Sequence, residues 1–161
     1  MANGAPIRLQ KGASIPSGAV VRTGPQAAVD IHLGPDAGTI RLTQNTVLAL
    51  DKLDNAQTML TLAEGSFVGW DANVPVGSQF QVKLPNGIVG IVEGKYRIDV
   101  RSYLVLLNGA MAYAYVPQDG QPRPFTMKGP PAAYFSPIEG VKPAPGALQK
   151  EVELQSKGKL R

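Results

Sequence analysis

The sequence predicts an all-β fold, and three observations predict it. Apolar and polar residues alternate in short runs, which marks strands with one buried and one wet face. The runs are separated by breaks such as Thr23-Gly24-Pro25 and Leu33-Gly34-Pro35-Asp36-Ala37-Gly38, where Pro lacks a donor and Gly reaches positive φ. Gly 18 and Pro 14 in 161 residues call for many turns and few long helices. Strand-like runs recur every ~8–12 residues, the spacing of a two-sheet sandwich or a β-solenoid-like domain. Local alternation looks alike in both arrangements, so both stay open.

Taken in order, Ile7–Gln10 is an edge-strand candidate, protected by its short length and by Arg8. Val20–Arg22, Ala28–Leu33, Thr39–Leu42 and Val47–Leu50 form the first strand set. Asp51–Gln57 is a polar connection. Met59–Leu62 and Ser66–Trp70 flank the short loop Ala63-Glu64-Gly65. Asp71–Ser78 is a Pro- and Gly-containing loop. Phe80, Val82 and Leu84 alternate with Gln81 and Lys83. Pro85-Asn86-Gly87 and Asn108-Gly109 both read as type I′ hairpin turns, because Asn-Gly supplies two positive-φ residues. Between them lie Ile88–Ile91, Tyr96–Val100 and Tyr103–Leu107, and Ala110–Val116 follows. After the Pro-rich loop 118–124, Phe125–Lys128 and Ala132–Phe135 are weaker strand candidates, with Gly129-Pro130-Pro131 between them blocking ladder pairing. Ser136–Gly146 should be irregular. Ala147–Lys157 can form a short helix with Leu148 and Val152 one turn apart, marginal unless docked. Residues 7–135 are therefore expected to form an all-β domain, and 136–161 a Pro-rich connection with a short C-terminal helix or tail. The expected core is Val29, Ile31, Leu33, Ile40, Leu42, Leu48, Leu60, Leu62, Phe80, Val82, Leu84, Ile98 and Val105, all on the apolar phase.

Composition excludes several chemistries. With no cysteine there is no disulfide, thiolate metal site or Cys nucleophile. The net charge of +4 is spread thinly, with Lys150, Lys157, Lys159 and Arg161 gathered at the end, so no dense basic face for nucleic acid is expected. No apolar run approaches the ~18 residues of a membrane helix, so this segment is not expected to insert stably. Met1–Pro6 has neither the basic nor the apolar region of a signal peptide. The expectation is a domain cut from a longer protein, its targeting segment removed.

His32 is the sole histidine, on the wet phase of a strand, with Asp30 two residues away on the same face. Without a second His or a Cys it reads as an exposed strand residue. Asp30, Asp36, Glu64, Glu93 and Asp99 could in principle pair for acid–base work, but none sits in a catalytic motif, and Gly-x-Ser-x-Gly is absent. The run Gly87–Gly94 lacks the Gly-Lys-Ser/Thr ending of a phosphate loop and reads as a buried strand ending in a turn. The reading is therefore of a domain without catalysis, cofactor or intrinsic metal. Trp70 is the aromatic expected to be half exposed, and a sugar platform is one role for it. With Val74, Pro75 and Val76 it gathers apolar groups beside turn formers. The candidate contact residues are accordingly Trp70, Val74 and Val76, facing a protein partner or a second copy.

Several ordered segments carry a family resemblance. They are Gly18-Ala19-Val20-Val21-Arg22-Thr23-Gly24, Leu50-Asp51-Lys52-Leu53, Leu62-Ala63-Glu64-Gly65-Ser66-Phe67 and Phe80-Gln81-Val82-Lys83-Leu84-Pro85-Asn86-Gly87. Gly90-Ile91-Val92-Glu93-Gly94-Lys95-Tyr96-Arg97-Ile98 and Val105-Leu106-Leu107-Asn108-Gly109 complete the set. In this order the chain resembles the FecR domain, the extracytoplasmic part of ferric citrate regulator proteins, over about residues 10–116. The Gly-Thr usual before the aromatic is replaced by Glu93-Gly94, which moves the expected bend one residue on and loses the Thr hydroxyl. Tyr96 and Ile98 then point together into the core. The resemblance implies a periplasmic or otherwise extracytoplasmic, non-enzymatic domain that passes signals through contact with another envelope or receptor protein. In sensor members this relays receptor occupancy in iron uptake to a sigma factor. A stand-alone envelope interaction module is the other reading, and ligand binding by the aromatic surface a third.

Overall fold

The computed structural model describes residues 10–54, 56–117 and 120–157. The edge candidate Ile7–Gln10 falls almost wholly outside them, as do Lys159 and Arg161. The strands are β1 (Val20–Arg22), β2 (Val29–Gly34), β3 (Gly38–Leu42), β4 (Val47–Leu53), β5 (Gln57–Glu64), β6 (Ser66–Asn73) and β7 (Gln79–Leu84). They continue as β8 (Gly87–Asp99), β9 (Tyr103–Tyr115), β10 (Arg123–Gly129), β11 (Ala133–Ser136) and β12 (Gly140–Pro143), and one helix follows, α1 (Gly146–Ser156). The fold is all-β, with the expected short C-terminal helix.

All twelve described strands belong to one hydrogen-bonded sheet. Its organising element is the β8–β9 hairpin, whose strands are thirteen residues each. β7 pairs only with the first part of β8, Gly87–Gly90, whereas β6 pairs with its later part, Glu93–Asp99. Likewise β10 pairs with Gly109–Tyr115 of β9 and β11 with Leu104–Leu106. The hairpin thus feeds two wings. One runs β1-β4-β5-β7 into the start of β8 and out through β10, and the other runs β2-β3-β6 into the end of β8 and out through β11 and β12. Both wings turn apolar side chains into one core. Leu48, Leu60, Val82 and Val89 from the first meet Ile40, Leu42, Phe67 and Ile98 from the second. The strands thus form one continuous sheet around that shared core. Only β5 and β7 pair in parallel.

Two glycines let the hairpin pass between the wings. Gly94 and Gly109 face each other across the ladder with φ of 108° and 102°. A Cβ on Gly94 would collide with the Asn108 carbonyl, and one on Gly109 with the Glu93 carbonyl. Register shifts flank the pair, so this is a double bulge where the strands bend.

Asn108-Gly109 is not a hairpin turn but the middle of β9, and Gly87–Gly94 does not end in a turn, because β8 continues to Asp99. The hairpin turns at Val100–Ser102 instead, with Ser102 at φ 67°. At Pro85-Asn86-Gly87, Leu84 pairs directly with Gly87, and neither Asn86 nor Gly87 has positive φ. Pro85, fixed near φ −65°, excludes a primed turn there. Gly87 is instead kept free of a Cβ by the Ala114 carbonyl and the Tyr113 ring. The segment 136–146 is not wholly irregular: β12 pairs with β11 from Ala133↔Pro143 to Ser136↔Gly140. Pro143 sits at the strand end, where a missing donor costs nothing.

The core holds Ile31, Ile40, Leu42, Leu48, Leu60, Leu62, Phe80, Val82, Leu84 and Ile98 as expected, while Val29 and Leu33 are only half-buried. Val105 is buried on the opposite face of its strand, in a second cluster. The family-type Arg22-Thr23-Gly24 also acquires a physical role. Thr23 Oγ1 donates to the Thr43 carbonyl at 2.5 Å and accepts from Thr46 N at 2.9 Å, fastening the end of β1 to the β3–β4 turn.

Candidate interaction site

The second cluster lies on the outer face of the β2-β3-β6 wing. Alternation along each strand puts it there. In β6, Phe67 points into the main core while Val68 and Trp70 point outward. In β8, Tyr96 and Ile98 point inward and Lys95 and Arg97 outward. In β9, Leu104 and Leu106 point inward and Val105 and Leu107 outward. The registers then align one row across six strands: Asp30, Arg41, Val68, Arg97, Val105 and Tyr134. From Arg41 to Val105 the row alternates charged with apolar side chains. Beside it, Trp70 stands opposite Thr39 of β3.

Helix α1 lies on this face. Val152 is fully buried against Val68, Val105, Leu107, Ala132 and Ala144, with Leu148, Trp70 and Tyr134 packed around them. The sheet's cations hold its C-terminal half. Arg97 Nη1 donates to Glu151 Oε1 at 3.2 Å and to Gln155 Oε1 at 3.1 Å. Lys95 Nζ donates to Glu153 Oε2 at 3.3 Å. Arg41 donates from Nη1 to the Gln155 backbone carbonyl at 2.9 Å, while its Nε and Nη2 grip Asp30. The hydrogen bond to Asp30, aided by its charge and against the cost of burial, holds the Arg41 guanidinium above its ordinary value. That guanidinium lies 5.2 Å from the centre of the Trp70 ring, a cation–π contact.

Trp70 is half-buried within β6, because the strand continues to Asn73 where the sequence suggested a loop from Asp71. The continuation is bulged: the register shifts between Gly69 and Ala72, and Asp71 takes φ 61°. A shallow depression beside Trp70 is lined by Asn73, Glu93, Lys95 and Asn108. Val74 packs on the main core and lines a separate cleft of about 160 Å³ with Leu33, Ala37, Leu53 and Phe80. Val76 is fully exposed. The face on which Trp70 sits also contains Arg41, Lys95, Arg97 and the helix acids, none of which the sequence singles out as a contact residue. Their signal was faint. Lys95 and Arg97 share the wet phase of one strand, and Glu151 and Gln155 are one helical turn apart.

The other candidates take ordinary places. His32 Nδ1 lies 2.7 Å from Thr39 Oγ1 on the neighbouring strand, and Asp30, two residues from it on the same face, is engaged by Arg41. Asp99 pairs with Arg101 at the hairpin turn. Among the described residues no cluster of three or more His, Asp or Glu could hold a metal, and no helix is long and apolar enough to cross a membrane.

Two crystal structures of a "putative anti-sigma factor" from Parabacteroides distasonis ATCC 8503 share this fold. One matches with a TM-score of 0.65 at 12% identity over 87% of this chain, the other with 0.64 at 13% identity over 85%. The chain spans only 65% and 64% of those proteins. No protein of curated function matches the sequence. The family follows from the sequence itself: the model of the FecR protein family matches residues 19–112, more than half of the chain, and the chain belongs to that family. FecR proteins are regulatory and act in signal transduction. The matched segment ends inside β9, so β10 to β12 and α1 lie beyond it.

Proposed function

We propose that this chain is the extracytoplasmic sensory domain of a regulator that controls a sigma factor, and that it works by contact with another protein rather than by catalysis. The observation that carries the reading is the FecR family match over residues 19–112. The anti-sigma description of the structural neighbours agrees with it. In this reading the contact runs along residues 70–76, from the half-buried Trp70 to the exposed Val76. Ligand binding by Trp70 stacking is less favoured, because Arg41 already lies over its ring.

The test is made in the native host. The gene is altered so that only this domain is removed, and transcript levels are measured genome-wide. The expected result is a coordinated change in the genes read by one sigma factor. An unchanged transcript profile, with the shortened protein present at normal level, refutes the reading.

A further inference from the structure

Helix α1 borrows nearly everything that stabilises it. It has eleven residues, near the limit for an isolated helix in water. Its N-cap is Pro145, which makes no side-chain capping bond. Its first turn has no acid and its last turn no base to complement the dipole. Only Val152 is fully buried. The sheet face supplies what is missing. Arg41 brings a cation to the C-terminal carbonyls, Arg97 and Lys95 meet the carboxylates of Glu151 and Glu153, and the Val68–Val105 seam receives Val152. The face therefore reads three features of a helix: an open C-terminal carbonyl, acids spaced as Glu151 and Glu153, and an apolar side chain between them. The chain is anchored up to Ala144, whose N–H donates to the Ala132 carbonyl, so α1 can leave by rotation at Pro145-Gly146 alone.

We propose that this face is a docking site for an acidic amphipathic helix of a partner protein, and that α1 occupies it in cis as a displaceable stand-in. Charge complementarity selects the occupant: the face presents Lys95 and Arg97 beside an apolar seam, where the acids of a helix meet both, while Arg41, already paired with Asp30, takes a helix backbone carbonyl. Occupancy by a partner would remove α1 from Trp70 and couple binding to the release of the chain's C-terminal segment. The inference rests on the protein-contact part of the proposed function and needs no sigma factor. It can fail while the transcript test succeeds, and the reverse.

The experiment uses the full chain and a fluorescent synthetic peptide of residues 146–157. Val152→Asp loosens the cis helix, and a second variant, Glu151→Lys with Glu153→Lys, does so without touching the seam. Trp70, the only tryptophan, reports release as a red shift of its emission. Peptide anisotropy should show binding to either loosened chain at least ~10-fold tighter than to the unaltered one, a shift of about 1.4 kcal/mol. Binding should return the Trp70 emission toward the blue, weaken as salt rises to about 1 M where screening is short-ranged, and vanish with Arg97→Glu. A peptide carrying Glu151→Lys and Glu153→Lys should recover affinity for a loosened chain with Lys95→Glu and Arg97→Glu. The proposal is overturned if loosened chains with red-shifted Trp70 fail to bind, or if binding ignores Arg97→Glu. It is equally overturned if loosening produces dimers that exchange α1, which would make a second copy the occupant.

Discussion

Tyr96→Phe and Tyr113→Phe make the same chemical change at two buried rings, and the structure gives them opposite signs. Tyr96 is fully buried, with its ring edge-on to Phe67 and its hydroxyl against Gly69 without a hydrogen-bond partner. Burial drives its ionisation far above the ordinary tyrosine range. A buried hydroxyl with no partner costs about 1–3 kcal/mol, so removing the oxygen while keeping the ring should stabilise the fold by about 1 kcal/mol, after a small loss of packing. Tyr113 is as deeply buried, but its hydroxyl lies 2.6 Å from that of Ser102, itself fully buried. Tyr113→Phe breaks that bond and strands the Ser102 hydroxyl, a loss of about 1–2 kcal/mol. The two variants should therefore stand about 2–3 kcal/mol apart. At roughly 2–4 °C per kcal/mol for a chain of this size, their melting temperatures should differ by ~4–12 °C, with the parent between them. Urea unfolding followed by circular dichroism supplies the free energies, and Ser102→Ala with Tyr113→Phe closes a double-mutant cycle. The double variant should then lose less than the sum of the two single losses. If Tyr96→Phe destabilises as much as Tyr113→Phe, the Tyr96 hydroxyl has a partner in solution and the reasoning fails.

Glycine substitutions separate close approach from mere presence in a strand. Gly94→Ala and Gly109→Ala should each cost about 2 kcal/mol or more in thermal or urea unfolding, whereas Gly90→Ala, with open space at its Cβ position, should lie within ~0.5 kcal/mol of the parent. At Asp99, burial raises the carboxyl, but the hydrogen bonds from Arg101 and the charges of Arg101 and Arg97 outweigh it and hold the group below its ordinary value. Its contribution is thus present above about pH 3.8 and lost as pH falls through the lower folded value, so Asp99→Asn should flatten the acid limb of a stability–pH curve. Arg41→Ala should cost about 1 kcal/mol by removing the contacts to Trp70 and the Gln155 carbonyl, and should shift Trp70 emission; an unmoved spectrum would contradict the described packing.

What could be read from the chain depended on whether the signal was local. Period-two runs such as Val29–Leu33 and Phe80–Leu84 mark strands because the inward and outward faces are written in adjacent residues. The turn signal at Asn108-Gly109 misled for the complementary reason. The same dipeptide serves a hairpin tip or a bulge opposite another glycine, and only the pairing with Gly94 decides between them. β12 escaped notice because Val141 and Lys142 sit among prolines and need β11 beside them to become a strand. At the candidate site, Trp70 was legible as a half-exposed aromatic. Arg41, Lys95 and Arg97 were not, because the row they form is assembled from strands far apart in sequence.

The shared hairpin has a mechanical consequence. Each wing draws on the same two strands, so neither has an independent boundary along which it could melt or swing. The outer face that holds α1 is tied to the opposite wing through continuous backbone at Gly94 and Gly109 rather than through side chains that can slip. Such a body has no hinge between its halves. A perturbation at one wing therefore reaches the other as a change in the stability of the whole, and α1, which follows Pro145, is the one described element of regular structure outside the ladder.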